Sequence, residues 1–234
     1  VLRAGSPRNY LRMVEHIIAL KVGLGIDSLM IQVNSGDPPL LDRGSLDLVD
    51  VIESAGIESC NDVARWCTVK ESVTMGGLHD DFITFHPAET GTKSLTIDCA
   101  IDFPNAIGQQ RICFRVSPSA FRHGAIARTN TSLGVMLYCM TIGKIFADIR
   151  NLGYTMKNLQ IAGKKRYVNE ARLYHKGKSL EAVWHRAALD LLAAIALITD
   201  ARFVGHVISY KAGHALDCRM VTWLHRNKLL VPLS

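Results

Sequence analysis

Apolar residues recur along this chain with two periods, one typical of helices and the other of strands. Residues 11–24 carry apolar side chains at intervals close to 3.6 residues and are followed by Gly25, and the same spacing runs through Leu46–Ala55 up to Gly56. The apolar positions of the first segment are Val14, Ile17, Ile18, Val22 and Leu24. Both segments are therefore predicted to be helices that end at a glycine.

The remainder of the chain shows short strands and longer helices separated by Gly, Pro, Asn and Asp. The predicted strands are residues 27–34, 69–72, 82–85, 95–101, 110–116 and 203–210. The further predicted helices are residues 142–152, 182–198 and 215–227. This order predicts an α+β protein made of two units joined near residues 58–68, each with a sheet on one side and helices on the other.

The composition indicates a globular protein, because 48% of the 234 residues are hydrophobic and 21% are charged. The longest apolar run, residues 189–198, is about half of what a bilayer span needs, so we expect no stable membrane insertion. No charged segment followed by an apolar stretch opens the chain, and no secretory signal is expected. Six cysteines without CxxC spacing argue against a zinc ribbon or a disulfide scaffold and indicate the cytoplasm.

A formal charge of +6 and a pI near 9.1 suit an anionic partner, which can be nucleic acid, a membrane surface or a phosphorylated small molecule. The densest basic stretches are residues 164–166 and 175–178. They lack the interleaved aromatic residues on which bases stack, and a solvated loop explains them. Nucleic-acid binding through residues 164–166 therefore ranks last, and no nucleic-acid partner is expected.

Two pairs of residues in the predicted helices offer groups for a metal ion. Glu15 and His16 lie in the first helix, and zinc hydrolases need imidazole or carboxylate ligands together with a carboxylate that takes a proton from water. His185 and Asp190 lie in the helix 182–198, but they are five residues apart, and a regular helix would separate their directions by about 140°. They can share one ion only if a π-bulge absorbs the extra residue. The alternative for both pairs is a packed polar side chain without a chemical role.

Stretches in the same order along most of the chain resemble one protein family. "VEHIIALKVGLGID" is similar to its Val-Glu-His-Leu-Leu-Ala-Ala-Leu helix, and "PPLLDRGS" to its Pro-x-Leu-Asp-Gly-Ser loop. "IDFPNAIGQQ" and "IART" are similar to its Ile-Asp-Phe-x-x-x-x-Ile-Gly-x-Gln and Ala-Arg-Thr strands, and "YKAGHALD" to its Tyr-Lys-Ser-Gly-His-Ala-Leu-Asn ending. The chain thus resembles UDP-3-O-acyl-N-acetylglucosamine deacetylase, the zinc amidase family of lipid A biosynthesis.

The resemblance implies two β/α two-layer sandwich domains packed face to face, with zinc and substrate between them. We expect an incomplete first domain over residues 1–62, because the family's opening segment has no counterpart here, and a second domain over residues 63–234. The implied activity is zinc-dependent deacetylation by a cytoplasmic monomer. The implied partner is the substrate, a UDP-linked acylated amino sugar.

The resemblance also implies roles for the residues of the two metal-site pairs. His16, His185 and Asp190 would be the zinc ligands. Glu15 would be the general base that takes a proton from the attacking water.

Four further residues acquire roles from the same resemblance. His214 would be a cation that stabilises the oxyanion and protonates the leaving amine, while Thr129 would donate a hydrogen bond to the same oxygen. Lys211 would lie near the nucleotide phosphates. Arg186, which replaces the family's lysine, would bind the substrate.

Several positions depart from the family pattern. Asp190 comes one residue late, and Ala194 stands where a second aspartate would orient the acid histidine. Asp217 is a candidate substitute for that aspartate. Asn130 replaces a phenylalanine that would line the nucleotide or acyl site. The alternative function is therefore a divergent, catalytically impaired homologue that binds a nucleotide-sugar or acyl ligand.

Overall fold

The computed structural model describes residues 2–3, 10–33, 37–61, 63–143 and 154–233, and its mixture of strands and helices confirms the predicted α+β class. The strands are β1 (Leu2–Arg3), β2 (Tyr10–Leu11), β3 (Trp66–Val69), β4 (Val73–Gly76), β5 (Phe82–His86), β6 (Leu95–Phe103), β7 (Gly108–Arg115), β8 (Thr129–Ser132), β9 (Leu159–Ala162), β10 (Tyr174–His175), β11 (Lys178–Ser179), β12 (Arg202–Phe203), β13 (Gly205–Tyr210) and β14 (Leu230–Pro232). The helices are α1 (Glu15–Leu24), α2 (Leu46–Ala55), α3 (Pro118–Gly124), α4 (Leu133–Met140), α5 (Glu181–Trp184), the π-helix π1 (His185–Leu191), α6 (Leu192–Ile195) and α7 (His214–Arg226).

A mixed sheet in the order β4, β5, β13, β6 and β7 provides one side of the core. The central strand β13 pairs antiparallel with β5 and parallel with β6. Its side chains alternate, so that Val207 and Ser209 are buried against the helices while His206 and Ile208 lie on the opposite, outer face of the sheet. The sheet therefore separates a helix-covered inner face from an outer face.

Helix α1 lies against π1, α6 and α3 on the inner side. Gly23 permits the close approach to α3, because a Cβ there would lie 2.2 Å from the ring of Phe121. One apolar core joins Leu20 of α1, Val49 of α2 and Leu189 of π1 to the inner face of the sheet. Residues before and after position 62 thus share a core, and the predicted domain boundary stays a prediction.

Smaller ladders complete the fold. Strands β12, β3 and β14 form a second sheet, and β8 pairs parallel with β9 through Thr129 and Leu159. Within the described ranges, every helix is too short or too polar to span a lipid bilayer.

Two predicted strands are wrong. Residues 27–33, the described part of the strand predicted at 27–34, form no strand, and Met30 is almost fully exposed there. Of the strand predicted at 69–72 only Val69 belongs to a strand, as the last residue of β3, and residues 70–72 form a bend in which Lys70 and Glu71 are charged and exposed. An apolar or β-prone stretch becomes a strand only where a neighbouring strand offers hydrogen-bonding partners.

The helices predicted at 11–24, 46–55, 182–198 and 215–227 are present, as α1, α2, the run α5–π1–α6 and α7, and two helices were missed. Helix α2 has the predicted bounds, whereas the predicted helix 142–152 lies almost entirely outside the described residues. Helices α3 and α4 were not predicted, although Ser117 and Ser132 cap them by accepting backbone N–H groups. Serine caps in front of short apolar runs were the signal for both.

Candidate metal and active site

The π-helix places His185 and Asp190 on the same side of the helical segment. Residues five positions apart lie one above the other in a π-turn, whereas in an α-helix they diverge by about 140°. The Nδ1 atom of His185 lies 3.4 Å from Oδ1 of Asp190, and both side chains are buried. The structure therefore contains the irregularity that the five-residue interval requires for a shared ion.

Dense packing surrounds π1 and explains why the surplus residue stays inside the helix. Every residue of π1 is buried, and α1, α3 and β6 all contact it. A residue that looped out of this segment would carry apolar surface into water, at about 25 cal/mol for each Å². A wider turn keeps the residue inside without that cost.

Ser45 fixes the orientation of His16. The Ser45 hydroxyl donates its proton to the carbonyl oxygen of His16 (2.8 Å), so its oxygen accepts from the Nδ1–H group of the same residue (3.3 Å). The Nε2 lone pair of His16 then faces the Thr129 hydroxyl at 3.2 Å. Burial and the neighbouring His185 lower the pKa of His16 to about 3, which keeps the imidazole neutral. A neutral imidazole of fixed tautomer is suited to metal binding.

Thr129 lies between the two imidazoles. Its Oγ1 atom is 3.2 Å from Nε2 of His16 and 3.1 Å from Nε2 of His185, and the two ring centroids are 5.3 Å apart. The hydroxyl has one proton and can donate it to only one of these nitrogens. Burial opposes protonation of His185, but Asp190 outweighs it and raises the His185 pKa. Because Nε2 of His16 is the acceptor, Thr129 donates to His16 and accepts from the Nε2–H group of His185.

Asp190 contacts groups on three sides. Its Oδ2 atom is 3.8 Å from Nε2 of His214, and ligand atoms of Glu15, Asp190 and His214 all lie within 4.8 Å of one another. Its Oδ1 atom is buried and, apart from the contact with Nδ1 of His185 at 3.4 Å, has no hydrogen-bond partner among the described residues. Burial alone would raise the Asp190 pKa, but the charge of His185 reverses this and lowers it to about 2. Asp190 is therefore an ionised, buried carboxylate with free lone pairs.

The predicted zinc ligands form a row rather than a single cluster. His185 presents Nε2 toward His16, through Thr129, and Nδ1 toward Asp190. The set whose ligand atoms converge is Glu15, Asp190 and His214. Asp190 belongs to both sets, and the predicted ligand set of His16, His185 and Asp190 stays a prediction.

Arg186 lies in a buried ion pair on the other side of π1. Its guanidinium donates to Oδ1 of Asp217 at 2.6 Å and to the carbonyl of Ala212 at 2.7 Å. These donors are turned into the protein, and the predicted substrate contact of Arg186 stays a prediction. Asp217 makes no hydrogen bond to His214 among the described residues, and the carboxylate that faces His214 is Asp190.

The turn between β13 and α7 presents Lys211 and His214. Lys211 adopts a left-handed backbone conformation (φ 54°), and its ammonium group lies 5.8 Å from the centroid of the Tyr210 ring. His214 is the first residue of α7, and 62% of its side chain is exposed. His214 is therefore open to a substrate, while its inner edge faces Asp190.

Two anchors of this site were not predicted from the sequence. The first is Ser45, which lies 29 positions from His16, and its signal was the serine that ends "PPLLDRGS". The second is the buried pair of Arg128 and Glu181, in which the backbone N–H and the Nε–H of Arg128 donate to Glu181 Oε1 at 3.0 and 2.7 Å. This pair fixes the start of β8 against α5 and so positions Thr129, and its signal was the arginine beside the threonine in "IART".

The sequence profile of a family described as LpxC, UDP-3-O-acyl N-acetylglycosamine deacetylase, matches residues 3–226. The chain belongs to the LpxC family. Relatives named UDP-3-O-acyl-N-acetylglucosamine deacetylase include one from Syntrophus aciditrophicus (strain SB), which is 27% identical over 219 residues covering 93% of this chain and 64% of the relative.

Two further relatives of the same name show similar values. One from Shewanella pealeana is 29% identical over 211 residues, covering 89% of this chain and 64% of the relative. One from Haemophilus ducreyi is 26% identical over 219 residues, covering 92% and 67%. The chain thus spans 64% of the length of the first two LpxC relatives.

Two departures from the LpxC pattern have a structural explanation. The family resemblance gives a metal helix with the pattern His-Lys-x-x-Asp, and here Asp190 follows one residue later because π1 absorbs the addition. The cation after the histidine is Arg186, and it pairs with Asp217. The helical segment that carries His185 is therefore tied to α7, which carries His214.

Proposed function

We propose that this chain is a zinc-dependent hydrolase that removes the acetyl group from UDP-3-O-acyl-N-acetylglucosamine in lipid A biosynthesis. Membership of the LpxC family supports the reaction class. The observation that carries the proposal is the convergence of Glu15, Asp190 and His214 within 4.8 Å beside two buried imidazoles. The cytoplasmic location and the monomeric state stay predictions.

The metal is assigned to His16, His185 and Asp190. Two features support this assignment: the Nε2 atoms of both imidazoles face one hydroxyl, that of Thr129, and Asp190 is a buried carboxylate whose Oδ1 atom contacts His185 Nδ1 at 3.4 Å. When bound, zinc supplies Lewis-acid polarisation of the acetyl carbonyl. Zinc rather than a harder cation suits two imidazoles and one carboxylate.

The remaining residues move protons and hold the developing charge. Glu15 takes a proton from water as the water oxygen bonds to the acetyl carbon. Thr129 donates a hydrogen bond to the carbonyl oxygen as it becomes negative. His214 gives a proton to the nitrogen as the carbon–nitrogen bond breaks, and the products are acetate and a free amine. His214 suits this step because its side chain is exposed on one side and faces Asp190 on the other.

A binding protein without turnover is the second candidate function. Ala194, at the position of the family's second aspartate, is buried in α6 and supplies no carboxylate to orient His214. Such a protein would bind the nucleotide-sugar or acyl ligand and leave the amide intact.

Zinc content and deacetylation of the purified chain, measured together, separate these functions. We expect His16→Ala to hold about one equivalent of zinc per chain less than the unchanged protein. We expect Glu15→Gln and His214→Ala to keep zinc while the rate falls by roughly 10²–10⁴-fold. His175→Ala, at an exposed histidine of β10, is the matched control and should change neither quantity.

Three outcomes would change the assignment. Zinc that is lost in His214→Ala but kept in His16→Ala would transfer the metal to Glu15, Asp190 and His214. Near-normal turnover in Glu15→Gln would remove Glu15 as the base. A zinc-loaded protein that binds the sugar nucleotide without releasing acetate would establish the binding function.

A further inference from the structure

A second group of metal-binding side chains lies on the outer face of the five-stranded sheet. Asp98 on β6 and Cys113 on β7 are directly opposite in the antiparallel register. His206 on the next strand, β13, lies two positions before Ile208, the parallel partner of Asp98. Ligand atoms of Asp98, Cys113 and His206 all lie within 4.8 Å of one another. Three adjacent strands thus present an oxygen, a sulfur and a nitrogen to one point.

The imidazole of His206 has an unused coordinating atom. Its Nε2 atom is buried and has no hydrogen-bond partner among the described residues. The ring lies beside His86, with centroids 5.8 Å apart, and His86 directs its own Nδ1 to the Ser72 hydroxyl at 2.8 Å. A buried nitrogen without a partner is unfavourable, and an ion bound to it would remove that cost.

The other two donors are compatible with a cation. Arg111 donates to both oxygens of Asp98, at 2.8 and 2.6 Å, and holds the Asp98 pKa below its usual range, so the carboxylate is ionised. Each carboxylate oxygen has a further lone pair for an ion. Cys113 is a free, exposed cysteine. The guanidinium of Arg111 is 70% exposed, so it can turn toward water when a cation approaches.

This group is separate from the candidate active site. The inner neighbours of Asp98 on β6, Ile97 and Cys99, are fully buried in the core, whereas Asp98 lies on the outer face. Helix π1, with His185 and Asp190, packs on the inner side of β6. The sheet lies between the two sites.

We propose that Asp98, Cys113 and His206 form a second binding site, for one thiophilic divalent ion of the zinc class. Mixed sulfur, nitrogen and oxygen ligands favour zinc or cobalt over magnesium or calcium. The three protein ligands leave a fourth tetrahedral position open toward solvent. The bound ion joins β13, β6 and β7 side by side, and so stabilises the central strands of the sheet.

Cobalt titration tests this site, because cobalt bound to a thiolate gives a charge-transfer absorption in the near ultraviolet that imidazole and carboxylate ligands do not give. We expect the unchanged chain to bind a second equivalent of Co²⁺ with this absorption. Cys113→Ser and His206→Ala should lose that equivalent and the absorption. Cys139→Ser is the matched control, because Cys139 lies in α4 and not on a strand of the five-stranded sheet.

The His16→Ala variant separates the second site from the proposed catalytic zinc. This variant should keep the cobalt–thiolate absorption of the second site while it loses the equivalent of Co²⁺ bound at the active site. Absence of the absorption in the unchanged chain, its persistence in Cys113→Ser, or its loss in Cys139→Ser would overturn the second site. Circular dichroism of each variant establishes that the sheet is folded, and Cys60→Ser, at an exposed loop cysteine, shows the effect of removing an unrelated thiol.

Discussion

The carboxylate of Asp217 and the guanidinium of Arg186 form a buried ion pair, with 2.6 Å between Oδ1 and Nη2. Arg186 follows His185 in π1, and Asp217 comes one helical turn after His214 in α7. The pair therefore connects the two segments that carry these histidines. The further donation from Arg186 Nε to the carbonyl of Ala212 holds the turn before α7 in the same arrangement.

Removal of one partner of this pair should cost much of the stability of the protein. Asp217→Ala leaves a buried guanidinium without its counterion, and we expect the free energy of unfolding to fall by about 3–5 kcal/mol. Asp27→Ala breaks the solvent-exposed pair with Arg202 and should cost at most about 1 kcal/mol. Denaturant titration measures both. A loss in Asp217→Ala no larger than that in Asp27→Ala would contradict a structural role for the pair.

Ser45 should control metal affinity without contact to the metal. Ser45→Ala removes the acceptor for Nδ1–H of His16, and partners of this kind typically account for 10–100-fold in metal affinity. Competition with a chelator measures the zinc dissociation constant. Ser54→Ala is the matched control, because that hydroxyl donates to a backbone carbonyl on exposed α2. Equal zinc affinity in the two variants would show that Ser45 does not orient His16.

Deletion of Ala188 should convert π1 into a regular α-helix. The deletion leaves a four-residue interval between His185 and the aspartate, which an α-helix places on one face. We expect the deletion protein to fold and to keep its zinc, as measured by elemental analysis and thermal unfolding. Deletion of Ala193, beyond the aspartate, keeps the five-residue interval and serves as the control. A folded Ala188 deletion without zinc would refute this account of the helix.

Acidification should destabilise the metal-free protein through His16. The pKa of this residue is about 3 in the folded protein and 6.5 in the unfolded chain, so only the unfolded chain takes up the proton between these values. The free energy of unfolding should therefore fall by up to about 1.4 kcal/mol per pH unit as the pH drops below 6.5. Unfolding in the presence of a chelator measures this slope. His16→Gln should reduce the slope, and the exposed-site variant His175→Gln should retain it.

The sequence correctly predicted the elements that are determined by residues close together along the chain. Helix α2 was predicted with its bounds because its apolar period and the glycine after it are local features. The strand predicted at 27–34 was wrong because an alternating pattern does not say whether another strand lies beside it. Residues 27–33 have no such neighbour among the described residues.

The candidate site was predictable to the extent that sequence intervals constrain geometry. The five-residue interval between His185 and Asp190 required a π-turn for a shared ion, and π1 spans this interval. The partner of Arg186 was not predictable, because 31 positions separate it from Asp217. Burial of Arg186 follows from that long-range contact, so the expected substrate contact could not be judged from the sequence.

Insertions and deletions in proteins are usually accommodated in surface loops. Here one additional residue is wound into a buried helix, while π1 and the following helix α6 both pack against α1. In a gap-free sequence alignment with a homologue whose helix is a regular α-helix, Asp190 would be aligned with a residue that is not its structural equivalent. The gap has to be placed inside the helix, between the histidine and the aspartate, for equivalent side chains to be matched.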